Sequence, residues 1–249
     1  MAKNITIEIC AGSVESAIAA AKGGADRIEL CSALSEGGLT PSVALLEYVM
    51  KHLKIKTNVL IRPRGGDFNY SRAEFDVMKS DVFSAKLKGA NGIVIGMLNT
   101  DGTVDTCRMK ELMEIAKPLE VTFHRAFDMT KDPLKALEDI VELGCQRILT
   151  SGQAADAFSG AGLIAELVKA SGNRIIIMPG SGINSSNLSE LHKKTNAAEF
   201  HLSATVKINS RMMYKNQGVG MGNGYSDEFM IAQTSQELVS EICKIAKNL

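Results

Sequence analysis

Ionisable and soft side chains recur in this 249-residue chain where short apolar runs end. Glu8 and Cys10 close the first run, Glu29 and Cys31 the second, and Arg62 with Arg64 the third. His124, Arg125 and Asp128 follow the fifth, Ser151-Gly152 the sixth, Gly180-Ser181-Gly182 the seventh, and His201 with Ser203 the eighth. Two neighbouring carboxylates such as Glu8 and Glu29 raise each other's pKa unless a cation lies between them. They read as a general acid–base pair or a metal-binding pair. Arg62 is the cation nearest to hand, and the same three residues also read as a structural Glu–Arg–Glu network. His124 reads as a proton-transfer group, a metal ligand, an anion donor, or a buried histidine bonded to a carboxylate. The candidate catalytic set is therefore Glu8, Glu29, Arg62, His124, Arg125 and Asp128.

Ser151, Gly152, Gly180, Ser181, Gly182, His201 and Ser203 form a candidate anion site. Glycines let backbone N–H groups approach a phosphate, and a following helix presents its positive N-terminus. Ser185-Ser186 read as the start of that helix, and the plainer reading is a Gly-rich turn with an N-cap. Cys10 and Cys31 hold equivalent places on neighbouring runs. Adjacent strands lie about 4.8 Å apart, so two thiolates on one face reach the same ion. Soft sulfur ligands select Cu(I) or Zn(II). Free cysteine is also a common core residue, and Cys107, Cys145 and Cys243 read as packing residues.

These residues need elements to position them. GADRIEL (24–30), GANGIVI (89–95) and GCQRILT (144–150) repeat one joint, a helix stopped at Gly and followed by a short strand. Strands are expected at 5–10, 27–31, 58–62, 92–96, 120–124, 147–151, 174–178 and 199–203. Helices are expected near 13–22, 41–53, 72–88, 105–116, 132–143, 156–170, 185–195 and 234–247. Thr40-Pro41 and Asp132-Pro133 read as an N-cap with Pro at the first helical position. Ser71 with Glu74 has capping-box spacing. A Gly-rich insertion at 205–230, carrying Met212, Met213, Tyr214 and Met221, reads as a lid over the mouth.

Eight alternating βα units predict an α/β fold, a single-domain (β/α)8 TIM barrel over 1–249 with that long insertion after strand eight and a C-terminal helix. The first βα turn, Cys10-Ala11-Gly12-Ser13, lacks the GxGxxG fingerprint of a doubly wound dinucleotide domain. A barrel places active sites at the C-terminal strand ends, so the candidates are expected at one mouth. Arg62, Arg64, Arg125, His124 and His201 are expected to face Glu8, Glu29, Asp67 and Asp128 there. The N-terminal strand ends read as ordinary polar positions.

Composition narrows the partner. The 28 basic residues balance 28 acidic ones, which argues against nucleic acid or an anionic membrane surface. Aromatics are 5% with no Trp, too few for a base-stacking platform. No apolar run approaches the roughly 18 residues of a membrane span. The start, MAKNITIEIC, alternates like a strand and unlike a signal peptide. Five scattered cysteines without CxxC argue against a disulfide framework and for a reducing cytoplasm. The ligand class that remains is a metal ion or a small anionic metabolite.

IEIC (7–10), GADRIELCSALSEGGLTPS (24–42), RPRGGDFNYS (62–71), TFHRAFDM (122–129), RILTSG (147–152) and YKNQG (214–218) together resemble the CutC copper homeostasis family. The resemblance covers almost the whole chain. It implies a cytoplasmic TIM barrel, a homo-oligomer (dimer or tetramer), and a copper ion, as Cu(I), as the bound group. It makes Cys31 the first candidate ligand and Cys10 the second; some relatives carry a further Cys where this chain has Ala11. The alternative is a TIM-barrel enzyme acting on a small phosphorylated or carboxylated metabolite, with Glu or His for acid–base chemistry and Arg orienting the anion.

Overall fold

A computed structural model describes residues 5–216, 218, 220 and 228–249. The chain alternates β1 (Thr6–Ala11), α1 (Val14–Gly23), β2 (Arg27–Leu30), α2 (Val43–His52), β3 (Lys56–Leu60), α3 (Arg72–Leu87), β4 (Gly92–Ile95) and α4 (Thr106–Ala116). It continues with β5 (Glu120–Phe123), α5 (Pro133–Leu143), β6 (Arg147–Thr150), α6 (Ala161–Ser171), β7 (Ile176–Pro179), α7 (Leu188–Thr195) and β8 (Glu199–Leu202). All eight strands pair in parallel in the order β7-β6-β5-β4-β3-β2-β1-β8. A parallel bridge between Gly180 and His201 joins β7 to β8 and brings the sheet round into a barrel. The (β/α)8 expectation holds. No helix among the described residues is long and apolar enough to cross a membrane.

Helix starts follow side-chain capping chemistry. Asp132 accepts from the backbone N–H groups of Leu134 at 3.1 Å and Lys135 at 3.0 Å, with Pro133 next to it. Ser71 and Glu74 form the reciprocal capping box. Thr40-Pro41 does not cap α2. Ser42 does, accepting from Leu45 N at 3.2 Å, because Thr40 Oγ1 is held by Arg62 N at 3.0 Å beyond the end of β3. α6 starts five residues later than the expected 156 and α7 three later than 185. Ser185 and Ser186 therefore precede α7, whose N-cap is Asn187.

The insertion is partly ordered as sheet. β9 (Thr205–Asn209) and β10 (Met230–Thr234) form an antiparallel hairpin. Thr234 N donates to Ser16 Oγ of α1 at 3.1 Å, which ties the hairpin to the barrel wall. α8 (Gln236–Ala246) then packs on α1. Met212, Met213 and Tyr214 are exposed, and Met221 lies outside the described residues.

Successive strand residues point to opposite faces, so every second one enters the barrel. The register pairs Glu8 with Arg27, Cys10 with Glu29, and Glu29 with Asn58. The N-terminal end of the interior is then a chain of buried charges, contrary to the ordinary polar positions expected there. Arg27 bonds Glu8 and Glu199, the latter at 2.6 Å. Glu199 also takes Arg147 Nε at 2.8 Å, and Arg147 reaches Glu120 at 2.7 Å. Arg27 Nη2 touches Met178 Sδ at 3.5 Å on the far side of the barrel. This polar floor underlies the mouth.

Candidate metal and ligand site at the barrel mouth

Above that floor, Cys10, Glu29 and His201 each offer one ligand atom within 4.8 Å of the others. Cys10 Sγ lies 3.5 Å from Cys31 Sγ and donates to Glu29 Oε1 at 3.5 Å. The two cysteines are not cross-strand partners, since Cys10 pairs with Glu29. The thiols meet on the diagonal because Cys31 stands two residues past Glu29 on the same face. Both are buried beside Leu60 and Val94. The Cys31 hydrogen bond raises the Cys10 thiol well above its ordinary value, and burial and the Glu29 charge add to it.

Glu8 serves the site from below. Its Oε1 accepts from His201 Nδ1 at 2.8 Å; its Oε2 accepts from Arg27 Nε and, at 3.3 Å, from Asn58 Nδ2. Burial alone would raise this carboxyl, yet the His201 bond and the Arg27 charge hold it down at about 2. With Nδ1 spent on Glu8, His201 presents Nε2 as its free ligand atom, the carboxylate–histidine arrangement that orients metal ligands. Arg27 is the cation bonded to Glu8, and His201 bonds its other oxygen, so the assignment of that role to Arg62 is corrected. Glu29 is pushed up by burial and by Glu8, against the pull of His201. Its Oε2 is buried with no partner among the described residues.

Arg62 is spent on loops. Its Nη1 donates to the carbonyls of Glu36 at 2.6 Å and Gly38 at 3.0 Å, and its Nη2 to Gly66 at 2.8 Å. Only its buried Nε lacks a partner. Arg64 and Asp67 pair with each other in the loop before α3, where Arg64 also reaches Glu74. They do not face the mouth carboxylates. Asp128 is saturated as well. It accepts from Arg125 Nε at 2.8 Å, from Thr150 Oγ1, from Ser151 N at 3.0 Å and from Gln153 N at 3.2 Å. That set folds the loop after β6 and engages both carboxylate oxygens in internal hydrogen bonds.

The anion cradle is split in the same way. Ser151 Oγ bonds Arg125 Nη2 at 2.8 Å and the Ala154 carbonyl at 2.6 Å, and Gly152 N donates to Thr150 Oγ1 at 2.8 Å. Gly152 is required because a Cβ there would sit 2.3 Å from the Gly160 carbonyl. Gly180 N is spent on the Thr150 carbonyl at 2.9 Å. Ser181, Gly182 and Ser203 instead line a neighbouring cavity of about 420 Å³ that shares Cys10, Arg125 and His201 with the mouth. Ser151 and Gly152 line neither cavity.

The decisive comparison is with protein families: the CutC family model matches residues 5–206. The chain belongs to the CutC family. The copper homeostasis protein cutC homolog of Homo sapiens is 47% identical over 249 residues, covering 100% of this chain and 91% of that one. A CutC protein from Parabacteroides distasonis is 50% identical over 236 residues, covering 94% and 97%. The crystal structure of a CutC protein from Streptococcus agalactiae aligns at a TM-score of 0.76 and 30% identity, covering 80% of this chain and 98% of that one. A phosphoribosylanthranilate isomerase from Pyrococcus furiosus, at 12% identity and a TM-score of 0.58, shares the barrel fold. The membership makes this a chain of a copper homeostasis family.

In this CutC barrel His124 takes a defined tautomer. Its Nδ1 accepts from Ala126 N at 3.1 Å, so the neutral ring carries its proton on Nε2. Nε2 is buried without a partner among the described residues. Burial and the Arg62 charge push His124 from 6.5 down to about 3. The unfolded chain therefore takes up a proton between about pH 6.5 and 3 that the folded one refuses. Stability from this group is full above pH 6.5 and falls as pH drops, by up to about 1.4 kcal/mol per unit. Urea melts at stepped pH are expected to show this slope, flattened in His124→Phe. Gly96 makes room for the ring, since a Cβ there would lie 2.5 Å from Nδ1. Gly96→Ala is expected to cost about 1–3 kcal/mol by overpacking and to displace the imidazole resonances in NMR spectra.

Period-2 alternation carried a signal for the floor residues absent from the candidate set. Arg27 precedes Glu29 by two, Glu199 precedes His201 by two, and Arg147 precedes Leu149 by two. Each must share a face with its partner.

Proposed function

We propose that this CutC protein binds Cu(I) at Cys10 and Cys31, with His201 and Glu29 at the same point, and handles copper in the reducing cytoplasm. The observation that carries the reading is the pair of buried thiols 3.5 Å apart, with a histidine aimed at them by Glu8. Soft sulfur donors are what Cu(I) selects over hard divalent ions. The free cysteines suit a compartment that keeps thiols reduced. When bound, the ion supplies the positive charge that holds both sulfurs as thiolates. Two protons leave the site as copper binds; Glu29 Oε1, which already accepts the Cys10 S–H, is placed to relay that one to solvent. Anaerobic titration of the reduced protein with Cu(I), against a competing chromophoric chelator, is expected to show one tight equivalent. Uptake no stronger than that of the Cys10→Ser, Cys31→Ser double variant would remove the reading.

The protein is also proposed to be a homo-oligomer. Phe83 and Leu87 stand one turn apart on α3, 54% and 67% exposed. An apolar patch of this kind marks an interaction surface. Light scattering is expected to give a dimer or tetramer for the wild type and a monomer for Phe83→Glu, Leu87→Glu.

A further inference from the structure

The copper reading uses the β1, β2 and β8 side of the mouth and leaves the β3 and β5 side without a task. A cavity of about 290 Å³ opens between them, lined by Glu29, Arg62, Phe68, His124 and Arg125 among others. One buried donor on its wall, His124 Nε2–H, has no partner among the described residues. The His124 ring packs near Phe68, whose ring lies 5.0 Å from it and 5.1 Å from the Arg62 guanidinium carbon. A buried donor left without an acceptor is costly, and one on a cavity wall points to a ligand that satisfies it. Arg125, at the rim, commits Nε to Asp128 and Nη2 to Ser151, and its Nη1 makes no hydrogen bond to the described residues.

We infer that this cavity binds a short organic monocarboxylate, its carboxylate taking hydrogen bonds from His124 Nε2 and Arg125 Nη1 beside the charge of the Arg62 guanidinium. Three features select that class. The donors call for an oxygen-rich acceptor, and a planar carboxylate offers one oxygen to His124 and the other to the Arg125 guanidinium. Glu29, Glu36 and Asp128 line the same cavity, so the second charge of a phosphate would meet carboxylates, with Arg62 Nη groups and Arg125 Nε already committed. The remaining wall is apolar, formed by Leu60, Phe68, Met129 and Leu149, and suits a short alkyl group. The volume sits at the lower edge of ligand cavities, roughly 300–1,000 Å³, which limits the chain to a few carbons. Cys10 and His201 line the same cavity, but the proposed contacts are to His124 and Arg125, so variants at His124 test this inference and variants at Cys31, which does not line the cavity, test the copper reading.

The test is a titration of the full-length, chelator-treated protein with sodium propionate, followed by NMR of the His124 Nε2 and Arg125 guanidinium signals. Saturable shifts of both are expected, and inorganic phosphate at equal concentration is expected to leave them in place. His124→Phe should weaken propionate binding by about 10-fold or more, the loss expected for a hydrogen bond to a charged group; His124→Gln, which restores an N–H donor, should recover part of it. Cys31→Ser should bind propionate as the wild type does. Absence of a saturable shift in the wild type, tighter binding of phosphate than of propionate, or unchanged affinity in His124→Phe would overturn the inference.

Discussion

Arg27→Met is expected to destabilise the protein by about 3–5 kcal/mol, the range for breaking a buried ion pair by removing one partner. At about 2–4 °C per kcal/mol for a chain of this size, the thermal midpoint drops by roughly 6–20 °C. The reason is the arrangement of the barrel floor. Arg27 and Glu8 are both buried, and Arg27 also satisfies Glu199 at 2.6 Å. Removing the cation leaves Glu8 with His201 and Asn58 alone and leaves Glu199 with Arg147. Raising the pH should not rescue the variant, since both stranded groups are carboxylates. Double replacement of Arg27 and Glu8 by apolar residues of similar volume should be milder than Arg27→Met, because no buried charge is then left uncompensated. Calorimetric melts of the three proteins at neutral pH check the ordering.

Cys31→Ser is expected to abolish tight Cu(I) binding while leaving the fold intact. Losing a group that merely orients a ligand weakens a metal site by about 10–100-fold, so losing a thiolate should cost at least about 100-fold. Cys31 is fully buried, with its Sγ 3.7 Å from the Ala11 carbonyl, and a serine hydroxyl can keep that contact. The wild-type affinity should rise with pH, because the Cys10 thiol is held well above its ordinary value and must lose its proton on binding. The limit is about tenfold per pH unit for each proton released. Cu(I) competition titrations at several pH values measure both effects. His201→Asn, with Glu8 left in place, should weaken binding less than Cys31→Ser.

Much of the fold was legible because βα units write themselves in local chemistry. Gly24, Gly89 and Gly144 each end a helical stretch with positive φ, and apolar strands follow a few residues on. The capping signals at Ser71 and Asp132 also read true. Thr40 misled because its hydroxyl serves a neighbouring strand through Arg62 N, and nothing local records such a partner. The gathering of Cys10, Cys31, Glu29 and His201 was only partly legible: alternation puts them on one face near the strand ends, but a linear reading put only the cysteines in the copper site, Glu29 in the catalytic set and His201 in the anion set. The site was not legible at Asp128 and Ser151. Those two look like chemistry in a linear reading, but their hydrogen-bond capacity is used on each other, on Arg125 and on Thr150. The floor was missed because charged residues at strand starts are ordinarily solvated. Arg27 and Glu199 are buried only because barrel closure places β2 and β8 on either side of β1.

X-ray absorption at the copper edge of the Cu(I)-loaded protein tests the central claim most directly. The reading expects a scattering shell with two sulfur ligands, reduced to one in Cys31→Ser. A first shell of nitrogen and oxygen alone, the same in wild type and Cys31→Ser, would contradict it.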